Sequence, residues 1–247
     1  SAETKDAIKI HEESVTYSLN GKEYKALYAY NENQKGIRPA ILVVPEWWGL
    51  NDYAKSRAKQ LAELGYVAMA LDVYGDGKTG DNPDDASKLS TPYYNEPSLS
   101  KVIMEAAQEK LKTYPQVDGT KMAAIGYCFG GGIVMNAAKL GIDMKGVVSF
   151  HGGLKGVTPD KEKTKAKILV CHGAADEFEI PNVESFKKEM DDSGVDYIWK
   201  EYAGAQHAFT NPNATDRGKR FQMPISYNEA ADKTSWEDMK QFFKDIF

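Results

Sequence analysis

The stretch "GYCFGGG", residues 126–132, decides how the rest of the chain is read. It joins a short apolar run, "MAAIGY" (122–127), to a segment of helical character, "GGIVMNAAKLG" (131–141), so Cys128 falls at a strand-to-helix turn. G-x-Nuc-x-G at such a turn is the nucleophile elbow, in which small flanking residues let the backbone fold sharply and leave the central side chain at the tip. Gly126, Cys128 and Gly130 fit it, with cysteine in place of serine. The positive end of the following helix favours an anionic sulfur. Two other readings stand beside this one. A lone cysteine near an apolar strand also suits a small buried hydrophobe. A glycine-rich turn also suits a phosphate, although this turn has neither G-x-G-x-x-G nor a Gly-Lys-Ser/Thr ending.

Outward from the turn the same rhythm repeats. "AILVVP" (40–45), "YVAMALDVY" (66–74), "GVVSF" (146–150) and "KILVCHG" (167–173) are short, nearly continuous apolar runs, the mark of strands covered on both faces. "NDYAKSRAKQLAELG" (51–65), "SLSKVIMEAAQEKLKTY" (98–114) and "NVESFKKEMDDSG" (182–194) have helical character. Strands alternating with helices predict an α/β class with a mostly parallel central sheet and helices on both faces. Residues 8–30 instead alternate around Asn20-Gly21, a dipeptide that tolerates positive φ, and predict an N-terminal antiparallel hairpin at the sheet edge. The last segment, 235–247, carries Trp236, Met239, Phe242, Phe243 and Ile246 at helical spacing and reads as core. Residues 75–97, rich in Gly, Pro, Asp and Ser, read as a long loop after the carboxyl end of a strand, where open α/β sheets place their ligands. Without an internal repeat or a linker, residues 1–247 are expected to form a single domain.

A thiol nucleophile needs a base, and the base needs an orienting group. On such a sheet they are expected in the order nucleophile, acid, histidine. "KILVCHGAADEFEI" places Asp176 just after an apolar strand, and "WKEYAGAQHAFTNP" places His207 after the next strand-like run. Both then lie at carboxyl ends of strands, on the sheet edge that carries Cys128. Asp176 also fits the cap of a helix starting near Ile180. His11 belongs to the hairpin, while His151 and His172 follow strands, where hydrogen bonding to loops is the simpler task. Cys128, Cys171, His172 and His207 lack a ligand spacing such as C-x-x-C, so no metal site is expected.

Composition narrows the partners. The 31 Lys and Arg against 36 Asp and Glu give a net charge of −5 without a basic block, which argues against nucleic acid. No apolar run approaches the roughly 20 residues that cross a bilayer, so a soluble chain without a membrane partner is expected. Two cysteines are too few for a disulfide framework. The opening "SAETKD" lacks a methionine and suits a removed export signal or a trimmed terminus; export is the mild expectation, with a cytoplasmic location the alternative. A monomer or small homo-oligomer is expected.

Taken together, "PEWWGLND" (45–52), "ALDVYG" (70–75), "IGYCFGGG" (125–132), "FHGG" (150–153), "CHGAAD" (171–176) and "AGAQHAF" (203–209) make the chain resemble the dienelactone hydrolase family of the α/β-hydrolase fold. The resemblance covers nearly all of the chain beyond the hairpin. It implies hydrolysis of a small ester or lactone without metal or cofactor, with Cys128 as nucleophile, Asp176 as orienting acid and His207 as base. It also implies that Glu46 helps remove the thiol proton, a task that suits a poorly solvated carboxylate. The backbone N–H groups of Trp47 and Phe129 are the implied oxyanion hole. Trp48, Tyr74 and Phe209 are candidate pocket walls, with core packing the alternative for each. One departure is visible: the family's two carboxylate-binding arginines have no counterpart in "DVYGDGKTG" or "HAFTNPNA", and Lys78, Arg217 and Arg220 are the nearest cations. Two rival readings follow, a broad-specificity carboxylesterase for uncharged esters and a catalytically silent binding protein on the same scaffold.

Overall fold

Residues 7–247 are described by a computed structural model. The expectation of a removed export signal rests on residues 1–6 and lies outside them. Strands β1 (Ile10–Leu19) and β2 (Lys22–Asn31) pair antiparallel, with Leu19 opposite Lys22 and Ile10 opposite Asn31. Between them Asn20 and Gly21 have φ of 51° and 78°, the left-handed values that a two-residue turn demands. Strands β3 (Arg38–Val44), β4 (Val67–Leu71), β5 (Val117–Tyr127), β6 (Gly146–Phe150), β7 (Lys167–Gly173) and β8 (Tyr197–Tyr202) complete one sheet. Its lateral order is β1-β2-β4-β3-β5-β6-β7-β8, parallel from β4 to β8, with β2 joined antiparallel to β4.

Helices cover both faces, which is why the central strands are apolar almost without interruption. Helices α1 (Asp52–Glu63), α2 (Pro83–Asn95), α3 (Leu99–Lys112) and α4 (Phe129–Lys139) precede α5 (Val183–Ser193), α6 (Ala214–Phe221) and α7 (Glu229–Ile246). Alternate residues of a strand enter opposite cores. In β3, Leu42 and Val44 meet the side packed by α3, α4 and α5, while Ile41 and Val43 meet the side packed by α1 and α7.

The region 75–97 is not the long loop expected. It contains α2, which starts on Asn82, whose side chain accepts the N–H of Asp85 at 2.9 Å; Pro83 opens the helix and Asp84 and Asp85 complement its positive end. The strand expected through residue 74 ends at Leu71. There Asp72 leaves the ladder, and its carboxylate accepts N–H groups of Tyr74, Gly75 and Gly77 at 2.8–2.9 Å. Helix α7 begins at Glu229, well before residue 235, on an Asn228 cap. Helix α6, with only Ala214 and Gly218 buried, was not foreseen at all.

Candidate active site

Cys128 stands between β5 and α4 with φ 56° and ψ −120°. Such a backbone costs a non-glycine residue of order 1–3 kcal/mol and persists only where its surroundings hold it. They do so here: the Cys128 N–H donates to Phe150 O at 2.9 Å, and Cys128 O accepts the Gly131 N–H at 2.9 Å. The flanking glycines have a steric cause. A Cβ at Gly126 would overlap the Gly130 carbonyl, and one at Gly130 would overlap the Val44 carbonyl of β3. The turn therefore closes tightly and lifts the sulfur to the carboxyl rim of the sheet.

His207 and Asp176 reach the same rim. Asp176 lies on the turn after β7, fully buried, where Oδ1 accepts the Phe178 N–H at 3.0 Å. Its Oδ2 lies 2.8 Å from His207 Nδ1, and His207 Nε2 lies 3.0 Å from Cys128 Sγ. Residues separated by 79 and 31 positions in the chain thus make a continuous line of sulfur, imidazole and carboxylate. Burial opposes the imidazolium, but the negative sulfur of Cys128 and the hydrogen bonds to Asp176 and Cys128 outweigh it and raise the His207 pKa well above its ordinary value. An imidazole so placed holds a proton readily.

Glu46 follows β3 and is 4% exposed. Burial raises its pKa, and the opposing hydrogen bond comes from Asn211, whose Nδ2 donates to Oε1 at 2.6 Å. Asn211 escaped the sequence reading; a polar side chain ahead of proline in "FTNP" looks like an ordinary turn former. The segment bearing His207 and Asn211 is anchored from behind. The buried Arg57 donates to Thr210 O at 2.9 Å and pairs with Asp232 at 2.5 Å, and His151 Nε2 lies 2.8 Å from Thr210 Oγ1. His151 is thus a packing residue behind the site, its pKa lowered by burial. His172 packs on Trp199 with ring centroids 5.0 Å apart, and His11 bonds to Glu32 and Glu13 in the hairpin.

A cavity of about 170 Å³, open to solvent, lies over the sulfur. Glu46, Trp47, Trp48, Cys128, Phe129 and His207 contribute to its wall. Tyr94, Phe178, Glu179, Met223 and Ile225 also line it, and none of them was anticipated. Two expected wall residues do not. Phe209 is fully buried behind the site, 5.0 Å from the His151 ring and 5.5 Å from Tyr202, because the turn after His207 carries it into the core shared with α1 and α7. Tyr74 stacks behind Phe129 and donates its hydroxyl to Trp47 O at 2.7 Å, so it holds the Trp47 peptide from outside the cavity. The three cations considered also stay out of the lining. Arg217 sits 4.6 Å over the Trp48 ring, Arg220 lies over Phe221, and Lys78 lines a separate cleft with Lys22 and Tyr24.

The model of the dienelactone hydrolase family matches residues 25–247. The chain belongs to the dienelactone hydrolase family. Protein usf of Aquifex pyrophilus is 31% identical over 239 residues, 94% of this chain and 97% of its own. A protein of Aquifex aeolicus named "Putative carboxymethylenebutenolidase" is 32% identical over 242 residues, 93% of this chain and 96% of its own. Among solved structures, the dienelactone hydrolase-like promiscuous phosphotriesterase P91 from metagenomic libraries superposes with a TM-score of 0.90 at 32% identity, over 96% of this chain and 99% of its own. The chain is accordingly a carboxylic ester hydrolase of the dienelactone hydrolase kind, on the α/β-hydrolase fold. No helix of the described residues is long and apolar enough to cross a membrane.

Proposed function

We propose that this dienelactone hydrolase family member cleaves a small ester or lactone through a thioester on Cys128. The sulfur attacks the carbonyl carbon and the carbonyl oxygen becomes an oxyanion, which the N–H groups of Trp47 and Phe129 receive. Trp47 lies just beyond β3 and Phe129 opens α4, where an amide has no intrahelical acceptor. The C–O bond to the leaving group then breaks, and His207, oriented by Asp176, gives its proton to the departing alkoxide. Water next attacks the thioester, His207 takes its proton, and the acid leaves as the sulfur is restored. Glu46, buried beside the same cavity with its pKa raised, is the second proton acceptor for the resting thiol. The observation that carries this reading is the 3.0 Å approach of His207 Nε2 to Cys128 Sγ, with Asp176 2.8 Å from the other ring nitrogen.

A preference for uncharged esters is the favoured second reading, because none of the lysines or arginines among the described residues lines the cavity. The partner is then a small molecule, and the net charge of −5 argues against nucleic acid. Turnover of p-nitrophenyl acetate tests the nucleophile. Cys128→Ala is expected to reduce it at least about 10⁴-fold, to the level left by binding alone, with the melting temperature nearly unchanged. Hydrolysis retained in that variant overturns the assignment.

A further inference from the structure

The cavity over Cys128 carries charge of one sign at its wall. Glu46 and Glu179 reach it, and no lysine or arginine among the described residues does. The remaining ionisable pair, Cys128 and His207, hydrogen-bond each other, so a proton passed between them leaves their summed charge unchanged. Glu46 lies deep, with Oε1 taken by Asn211. Glu179 is placed differently. It stands on the turn after Asp176, 9% exposed, and its Oε1 is fixed by the Leu154 N–H at 2.8 Å and Asn182 Nδ2 at 3.3 Å. Oε2 accepts no hydrogen bond among the described residues and keeps contact with solvent beside the cavity-lining Gly153. Burial raises its pKa, the mark of an anion short of solvation that a cation would relieve.

The wall of the cavity that Glu179 joins is otherwise rich in aromatic residues, Trp47, Trp48, Tyr94, Phe129 and Phe178, of which Tyr94 is near enough to feel its charge. Ring faces attract cations through the quadrupole, and a carboxylate among several of them makes a receptor for an alkylammonium group. A carboxylate entering the same space would lose its hydration and find repulsion in exchange. We propose that Glu179 is a specificity-determining residue that sorts substrates by charge, favouring esters whose acyl part carries an alkylammonium group and disfavouring those that carry a carboxylate. This rests on the ester-hydrolase reading given above. Two cations oppose it from outside the wall: Arg217, stacked 4.6 Å over the Trp48 ring and facing Glu46, and Lys155, exposed on a smaller cavity that shares Tyr94, Phe129 and Gly153.

Three p-nitrophenyl esters of matched shape separate these possibilities: that of γ-trimethylammoniobutyrate, its tert-butyl isostere, and the monoester of glutarate. At low salt and mildly alkaline pH, kcat/KM is expected to fall in that order, with the cationic ester roughly 100-fold ahead of the anionic one. Glu179→Gln, which keeps Oε1 as an acceptor for Leu154, is expected to compress that ratio about tenfold, equivalent to ~1.4 kcal/mol. Molar sodium chloride is expected to compress it in the unaltered enzyme as well. An unchanged ratio in the variant overturns the proposal. So does the reverse order, which would put the substrate charge at Arg217 or Lys155. A second readout needs no turnover: alkylthiolation of Cys128 by trimethylammonioethyl and sulfonatoethyl methanethiosulfonates, followed by peptide mass spectrometry. The cationic reagent is expected to react faster by a margin that shrinks in Glu179→Gln, and equal margins overturn the proposal. If no ester is cleaved, the hydrolytic reading fails, while the labelling rates still decide the role of Glu179.

Discussion

One cysteine lies within a strand of the sheet and the other just beyond the end of a strand, and the two sulfurs meet different surroundings. Cys171 lies inside β7, in register with Phe150 of β6 and Lys200 of β8, and is fully buried. Burial there pushes its thiol up to about 12. Cys128 stands one residue past the end of β5, beside the imidazole of His207. A side chain within a central strand must enter one of the two cores. One just past the carboxyl end reaches the rim, where loops deliver an acid and a base. A displacement from strand to turn separates an inert packing group from a candidate nucleophile.

The largest effect that tests this contrast is on turnover. Cys128→Ala should cost at least about 10⁴-fold in kcat with p-nitrophenyl acetate, whereas Cys171→Ala should stay within about threefold, since a core change away from the cavity leaves the reacting groups in place. Comparable losses would erase the distinction. Alkylation by iodoacetamide near neutral pH comes next: Cys128 should react roughly 100-fold faster than Cys171, because reactivity follows thiolate character and access. Equal labelling of the two tryptic peptides would break the comparison at its chemical root.

Stability should reverse the ranking. Cys171→Ala leaves a small void in a packed core and should cost on the order of 1 kcal/mol in urea denaturation. Cys128→Gly removes a side chain from a backbone at φ 56° and should stabilise by about 1 kcal/mol. The smallest effect concerns Glu46. Its folded pKa is raised above the ordinary 4.5, so the native state binds more protons than the unfolded one between those values. Its ionisation then costs stability, fully so above the folded pKa and not at all well below 4.5. Glu46→Gln should accordingly melt a few degrees higher than the unaltered protein at alkaline pH and at the same temperature in acid. A gap independent of pH would remove the buried charge from consideration.

Much of this was legible in the sequence because the relevant signals are local. Continuous apolar runs mark strands covered twice, Asn20-Gly21 marks its hairpin turn, and Gly126-x-Cys128-x-Gly130 announces a turn that has no room for side chains beside the tip. The order of Cys128, Asp176 and His207 sufficed to bring them together. Helices α2 and α6 were illegible because each buries only two residues and so shows no apolar stripe. Asn211 and Glu179 were missed for another reason: their partners, Glu46 and Leu154, lie 165 and 25 positions away. Tyr74 and Phe209 were misplaced because both stand on turns, beyond the strand ends at Leu71 and Tyr202, where no alternation of side chains records which way a ring faces.

The most direct test is to trap the covalent intermediate. Acid quenching of the enzyme during turnover of p-nitrophenyl acetate, followed by peptide mass spectrometry, should find an acetyl thioester on the peptide containing Cys128 and none on that containing Cys171. Steady hydrolysis with Cys128 never acetylated, and with the same rate in Cys128→Ala, would contradict the central claim.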